Sequence, residues 1–109
     1  MWEIDKEVIL KIKEGLIKRE IRFTIAEHLS ILQLAAVLGK INLYVTNDTG
    51  PMHIAAMTNV NQISLILKSN IYEWAPAGVN KYNLSSESGD INKIKLDDVL
   101  ALCDKILME

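Results

Sequence analysis

Two short, mostly apolar runs constrain this chain more than any other feature: Ile41–Thr46 and Gln62–Leu67. The second is of the near-continuous kind found in strands that are buried on both faces of a parallel sheet. Between them stands Pro51, a residue suited to the first turn of a helix. Parallel neighbours need a crossover of about a dozen residues or more, and the intervening stretch has that length, so strand, helix and strand predict a βαβ unit.

The flanking patterns extend this unit. Ile4, Val8, Ile12 and Leu16, with Ile9 beside them, oppose Glu3, Glu7, Lys11, Glu14 and Lys18 on a helical wheel, which predicts an amphipathic helix over 3–20. Glu7 with Lys11 and Glu14 with Lys18 have the spacing of i,i+4 ion pairs. Leu10 and Ile17 widen the apolar arc and point to a second neighbour, with exposed apolar surface for a partner or a second copy to cover. Ile21–Ile25 reads as a short strand. Ser30 with Gln33 forms a capping box that opens a buried helix, Ile31–Leu38, which Gly39 closes. From Lys68 to Asp90 the pattern is that of a surface loop with one strand near Tyr82–Leu84. A last helix, Asp97–Met108, is expected to bury Val99, Leu100, Cys103, Ile106 and Leu107. The expected fold is α/β, a single domain over 1–109 with three or four mostly parallel strands and helices on both faces.

Composition excludes several function classes. Half of the 109 residues are hydrophobic but only 6% are aromatic, so the core is aliphatic. Twelve Lys and Arg against fourteen Asp and Glu, interleaved along the chain, provide no basic stripe for nucleic acid. The single cysteine, Cys103, has no internal disulfide partner, and no Cys/His set suggests a metal. No apolar run approaches the roughly 18 residues of a membrane span, and the start Met-Trp-Glu-Ile-Asp lacks a leader pattern, so a cytoplasmic chain is expected.

The segment Asn47-Asp48-Thr49-Gly50-Pro51-Met52-His53 carries the chemistry. It joins the carboxyl end of a buried strand to a helix start, the place where open α/β sheets bind ligands. Gly50 allows close backbone approach, and the amides of Met52, His53 and Ile54 are expected to point outward at the positive end of the helix, where a phosphate would sit. A carboxylate beside a diphosphate is repelled, so Asp48 suits sugar hydroxyls instead. His53 can donate to a phosphoryl oxygen, and Thr49 can add a hydroxyl. The same residues also suit an ordinary Asx turn before a Pro-started helix, with Thr49 as its cap and His53 as a packing residue.

Asp48-Thr49-Gly50-Pro51-Met52-His53-Ile54-Ala55-Ala56 closely resembles the D-[ST]-G-P-x-H-x-A-A signature of the family 9 glycosyltransferases, known for ADP-heptose:lipopolysaccharide heptosyltransferases. Ser30 to Leu38 is similar to that family's S-L-x-E-L-A-A-L-I helix, Trp74-Ala75-Pro76-Ala77-Gly78 to its W-x-P-x-G element, and Ile94 to Val99 to the start of its last helix. The resemblance implies the carboxyl-terminal, donor-binding half of a GT-B enzyme, a Rossmann-like domain that holds an ADP-sugar and needs no cofactor or metal. It assigns Asp48 to the sugar, and Thr49, Gly50 and His53 to the diphosphate. Trp2 and Glu7 resemble a W-x-x-x-x-E element whose Glu holds the ribose, a position that a solvated helix face also explains. Implied partners are the nucleotide-sugar donor and either an acceptor-binding domain on a separate chain or a second copy of this one. Two alternatives stay open: a degenerate, non-catalytic α/β binding or interaction module derived from the family, and an unrelated phosphate-binding α/β domain.

Departures from the family pattern accompany the resemblance. The family's F-G-P-T turn is replaced by about Ile66-Leu67-Lys68-Ser69, and the acceptor domain and first strands of this half are missing, so the chain reads as a fragment or reduced remnant. An inverting transfer needs a base for the acceptor hydroxyl as well as fixed dipoles for the departing diphosphate, and the signature supplies only the dipoles. The purified polypeptide is therefore expected to give no detectable transfer from ADP-heptose to any acceptor. Robust turnover in a radiolabelled-sugar assay would reveal an unrecognised base.

Overall fold

The computed structural model describes residues 2–67, 75–86 and 90–108. The first element, α1 (Trp2–Lys18), ends in a Schellman closure: Ile21 N–H donates to Leu16 C=O at 3.0 Å and Glu20 N–H to Ile17 C=O at 3.0 Å. Glu20 takes the left-handed position at φ 56°, where a glycine would carry no Cβ penalty. The chain then turns back without forming the expected strand at Ile21–Ile25. Instead, Phe23 and Ile25 face Ile9, Ile12 and Leu16 across a small cavity of about 90 Å³. With no strand edge beside it, the segment packs by its side chains alone. The expected Glu7–Lys11 and Glu14–Lys18 pairs do not close to 4.0 Å; all four side chains are exposed, where holding two long side chains together gains little.

Helix α2 (Ile31–Leu38) has the capping box as expected, with Ser30 Oγ accepting from Gln33 N–H at 3.1 Å and Gln33 Oε1 accepting from Ser30 N–H at 2.9 Å. It is not a buried helix. Ile31 and Leu32 are 69% and 83% exposed, because only the stripe of Leu34 and Leu38 reaches the core. Strand β1 (Tyr44–Asn47), helix α3 (Gly50–Ala56) and strand β2 (Gln62–Leu65) form the βαβ unit. Strand β3 (Lys81–Leu84) pairs on the far side of β2, and the order β1-β2-β3 is parallel throughout, with Tyr44 opposite Gln62 and Gln62 opposite Lys81.

After a 3₁₀ turn at Ile91–Lys93, α4 (Leu96–Leu107) begins with Asp97 and Asp98 in its first turn, where carboxylates complement the helix dipole. Ile106 is buried, and Val99 and Cys103 are half-buried on the same side of the helix. Leu100 and Leu107, expected inside, are exposed because they project from another side of the helix.

The centre of the fold is Leu38, Ala55 and Val60, with Leu34, Tyr44 and Ile54 packed around them. Strand alternation places Tyr44, Thr46, Gln62, Ser64, Lys81 and Asn83 on the same face of the sheet as α3, and Ile63, on the other face, is also fully buried. Beneath α3 the sheet is therefore largely polar. Gln62 Nε2 donates to Met52 C=O at 2.9 Å and to Ser64 Oγ at 3.1 Å. Lys81 Nζ donates to Ala55, Thr58 and Val60 C=O at 3.1, 2.9 and 2.7 Å. Both ends of α3 are thus tied to the sheet by side chains.

Burial pushes the Lys81 ammonium below its ordinary pKa. The three carbonyls, two of them just past the end of α3, supply the negative dipole ends that hold the cation. Lys81→Met keeps the aliphatic stem and strands these acceptors, at a cost of about 1.5–3 kcal/mol for hydrogen bonds to a charged group. Urea denaturation should register that loss; a change below about 0.5 kcal/mol would mean that the carbonyls are equally well served by solvent. Glu20→Gly should act in the opposite direction and stabilise the end of α1, by up to about 1 kcal/mol, because it removes the left-handed Cβ clash. A lower denaturation midpoint for this variant would contradict that reading.

Candidate functional site

The carboxyl end of β1 runs without a spacer into α3. Thr49 N–H donates to Asn47 C=O at 3.0 Å, and Met52 N–H donates to Thr49 C=O at 3.1 Å, so the chain turns sharply before the helix. The second bond corrects one expectation: the Met52 amide is used by the tight first turn and does not point outward. Thr49 occupies the N-cap position, with extended backbone at φ −139° and ψ 176°, but its hydroxyl makes no capping hydrogen bond. The capping role expected of a Thr here is thus not filled, and the exposed hydroxyl remains available.

Gly50 is exposed, and a Cβ built on it would meet nothing within 4 Å. No left-handed conformation requires glycine at this position; what the residue contributes is open space beside the backbone. Pro51 follows inside the first turn and fixes the direction of α3. His53 stands three residues after Gly50 and is exposed, whereas Met52 and Ala55 are buried against the sheet. Asp48 is half-buried at the strand end. The structure therefore gathers Asp48, Thr49, Gly50 and His53 into one strand-to-helix turn.

Glu7 is exposed on α1, and that helix is not among the elements packed extensively against β1 or α3. Trp74 and the Lys68-Ser69 part of the altered turn lie outside the described residues. Ile66, at the start of that turn, is buried, and its N–H donates to Leu84 C=O at 2.9 Å, extending the β2–β3 ladder. From the W-x-P-x-G element, Pro76 C=O accepts from Asn83 Nδ2 at 2.9 Å. Gly78 has φ 151°, and a Cβ there would meet Lys81 Cγ at 3.2 Å. This glycine thus shapes the approach to the strand that carries Lys81.

Sequence reasoning missed the supporting residues Gln62, Ser64, Lys81 and Asn83. Their signal was the polar half of the alternation in Gln-Ile-Ser-Leu and Lys-Tyr-Asn-Leu, which ordinarily marks a solvated face. A separate cleft of about 380 Å³, lined among others by Leu38, Asn42, Val60 and Ile106, opens at the amino ends of the strands, away from the turn. Among the described residues no His, Cys, Asp and Glu cluster could hold a metal ion, and no helix is long and apolar enough to cross a membrane.

No curated protein and no solved structure matches the chain significantly. The family model of glycosyltransferase family 9 (heptosyltransferase) matches residues 2–102, a span that contains β1, the Asp48–His53 turn, the whole parallel sheet and the first half of α4. With that match over nearly its full length, and the family's signature at the strand-to-helix turn of a parallel α/β sheet, the chain belongs to glycosyltransferase family 9.

Proposed function

We propose that this chain is the donor-binding part of a family 9 sugar transferase, taking an ADP-heptose-type nucleotide-sugar in the cytoplasm for transfer to a lipopolysaccharide or other glycan acceptor. The observation that carries the reading is the turn itself. An uncapped Thr49 hydroxyl, open space beside Gly50 and the amino end of α3 adjoin one half-buried carboxylate, Asp48. The helix start and the hydroxyl favour a phosphate; the carboxylate disfavours one and suits neutral hydroxyls. A sugar joined to a diphosphate satisfies both halves of the turn.

In this reading Asp48 accepts hydrogen bonds from the sugar. Thr49 and the Gly50 backbone hold the diphosphate, and the exposed His53 ring adds a donor on the same flank. Glu7 is assigned to the nucleoside ribose on the family resemblance alone. Developing charge on the departing diphosphate would be stabilised by the same dipoles that bind it, the form of assistance this turn is built to supply.

The test is calorimetric titration of the purified chain and two variants with ADP and with an ADP-sugar. Asp48→Ala should weaken ADP-sugar binding on the order of tenfold or more, the equivalent of one hydrogen bond to a charged acceptor at about 1.5–3 kcal/mol, and leave ADP binding nearly unchanged. Gly50→Val places its side chain in open space, so the variant folds, yet it blocks backbone approach and should weaken both ligands together. Equal losses in Asp48→Ala would make Asp48 a turn residue. A wild-type chain that binds neither ligand would favour the binding-only or degenerate module.

A further inference from the structure

Two buried polar side chains grip carbonyls at the two ends of the Asp48–His53 turn. At its start Thr46, 8% exposed, donates from Oγ1 to Asn47 C=O at 3.1 Å, the carbonyl that also accepts from Thr49 N–H. At its far end the fully buried Gln62 donates from Nε2 to Met52 C=O at 2.9 Å.

The second bond has the longer reach. A peptide unit is planar and trans, so the direction of Met52 C=O also fixes that of the His53 N–H, which belongs to the same unit. A helical C=O points toward the carboxyl end of its helix, and the N–H of its unit then points toward the amino end, where Thr49 and Gly50 lie. Donation to the carbonyl also polarises the unit and makes its N–H the stronger donor. Met52 is held from its other side as well, because its side chain is fully buried and its own N–H donates to Thr49 C=O at 3.1 Å. Through this one residue, an amide on β2 controls the backbone of the turn.

Stability does not account for a glutamine at this position. Its Nε2 makes a second bond, to Ser64 Oγ at 3.1 Å, but its Oε1 is buried with no donor among the described residues. An apolar side chain of the same length would strand no such acceptor, and replacing a buried polar pair by apolar groups of similar shape is often neutral or stabilising. We propose that Gln62 is a positioning residue for the donor: through Met52 C=O it aims and polarises the His53 amide toward the diphosphate. The inference rests on the donor-binding reading above.

Gln62→Met keeps the length of the side chain and removes the amide; a second variant adds Ser64→Ala, so that the serine hydroxyl is not left without its donor. Three measurements on the full chain test the proposal. Urea denaturation should place the midpoint of the double variant at or above that of the wild type. Amide exchange followed by NMR should be on the order of tenfold faster at Met52 and unchanged at Ile66, whose N–H closes the β2–β3 ladder on Leu84 C=O. Calorimetric titration with ADP should show a Kd raised on the order of tenfold, the equivalent of one hydrogen bond. Local protection and affinity then fall while global stability holds, a split that a merely structural residue does not produce. A double variant with a lowered midpoint and equally faster exchange at Met52 and Ile66 would make Gln62 such a residue and overturn the proposal. Unchanged Met52 exchange, or ADP bound as tightly as by the wild type, would overturn it while leaving the donor reading intact. A wild type with no affinity for ADP would overturn both.

Discussion

The ammonium of Lys81 is the tie on which the rest of this small fold depends. Its three protons go to the carbonyls of Ala55, Thr58 and Val60, and thereby bind β3 to the end of α3 and to the turn that feeds β2. Three separate pieces of chain meet at one charge. The three strands among the described residues have little apolar area to offer, and here much of the face under α3 is polar. Directional hydrogen bonds therefore take over part of the work that side-chain packing does in larger α/β domains. Thr58 reinforces the arrangement, its hydroxyl donating to Ala55 C=O at 2.7 Å.

Gln62 does for the first half of α3 what Lys81 does for its end. Fully buried, it donates to Met52 C=O, close behind the signature residues. A seven-residue helix has few intrahelical bonds of its own, so its direction is set from outside. The two anchors leave the amino end of α3 projecting from the carboxyl edge of the sheet with Thr49, Gly50 and His53 in solvent. This arrangement has a cost: Gln62 Oε1 and Asn83 Oδ1 are buried and find no donor among the described residues, and such groups typically cost about 1–3 kcal/mol each. Positioning of the Asp48–His53 turn is thus obtained at the expense of the polar layer beneath it.

Local features were legible wherever the interaction is itself local. The capping box of Ser30 and Gln33, the Pro51 helix start and the boundaries of the last helix, to within a residue or two, each depend on groups a few positions apart. The family signature was legible for the same reason, because the strand-to-helix turn draws its candidate residues from one continuous segment. Readings that failed depended on neighbours distant in the chain. Ile21–Ile25 has a pattern compatible with a strand but no edge to pair with, and Ile31, Leu32, Leu100 and Leu107 are apolar on sides that no other described element covers closely.

By itself the sequence determined that the chain builds a parallel βαβ unit, where its helices begin, and that Asp48, Thr49, Gly50 and His53 stand at one turn. Periodicity and crossover length decide these things before any tertiary contact forms. Tertiary structure alone decided which half of each strand's alternation lies under α3. A period of two defines two faces of a strand and leaves both open; the docking of α3 over Gln62, Ser64 and Lys81 set the polar half beneath that helix, while Ile63 is buried on the other face. It likewise decided that Lys81, which in sequence is one charge at the start of a short strand, is the residue that ties the end of α3 to the sheet.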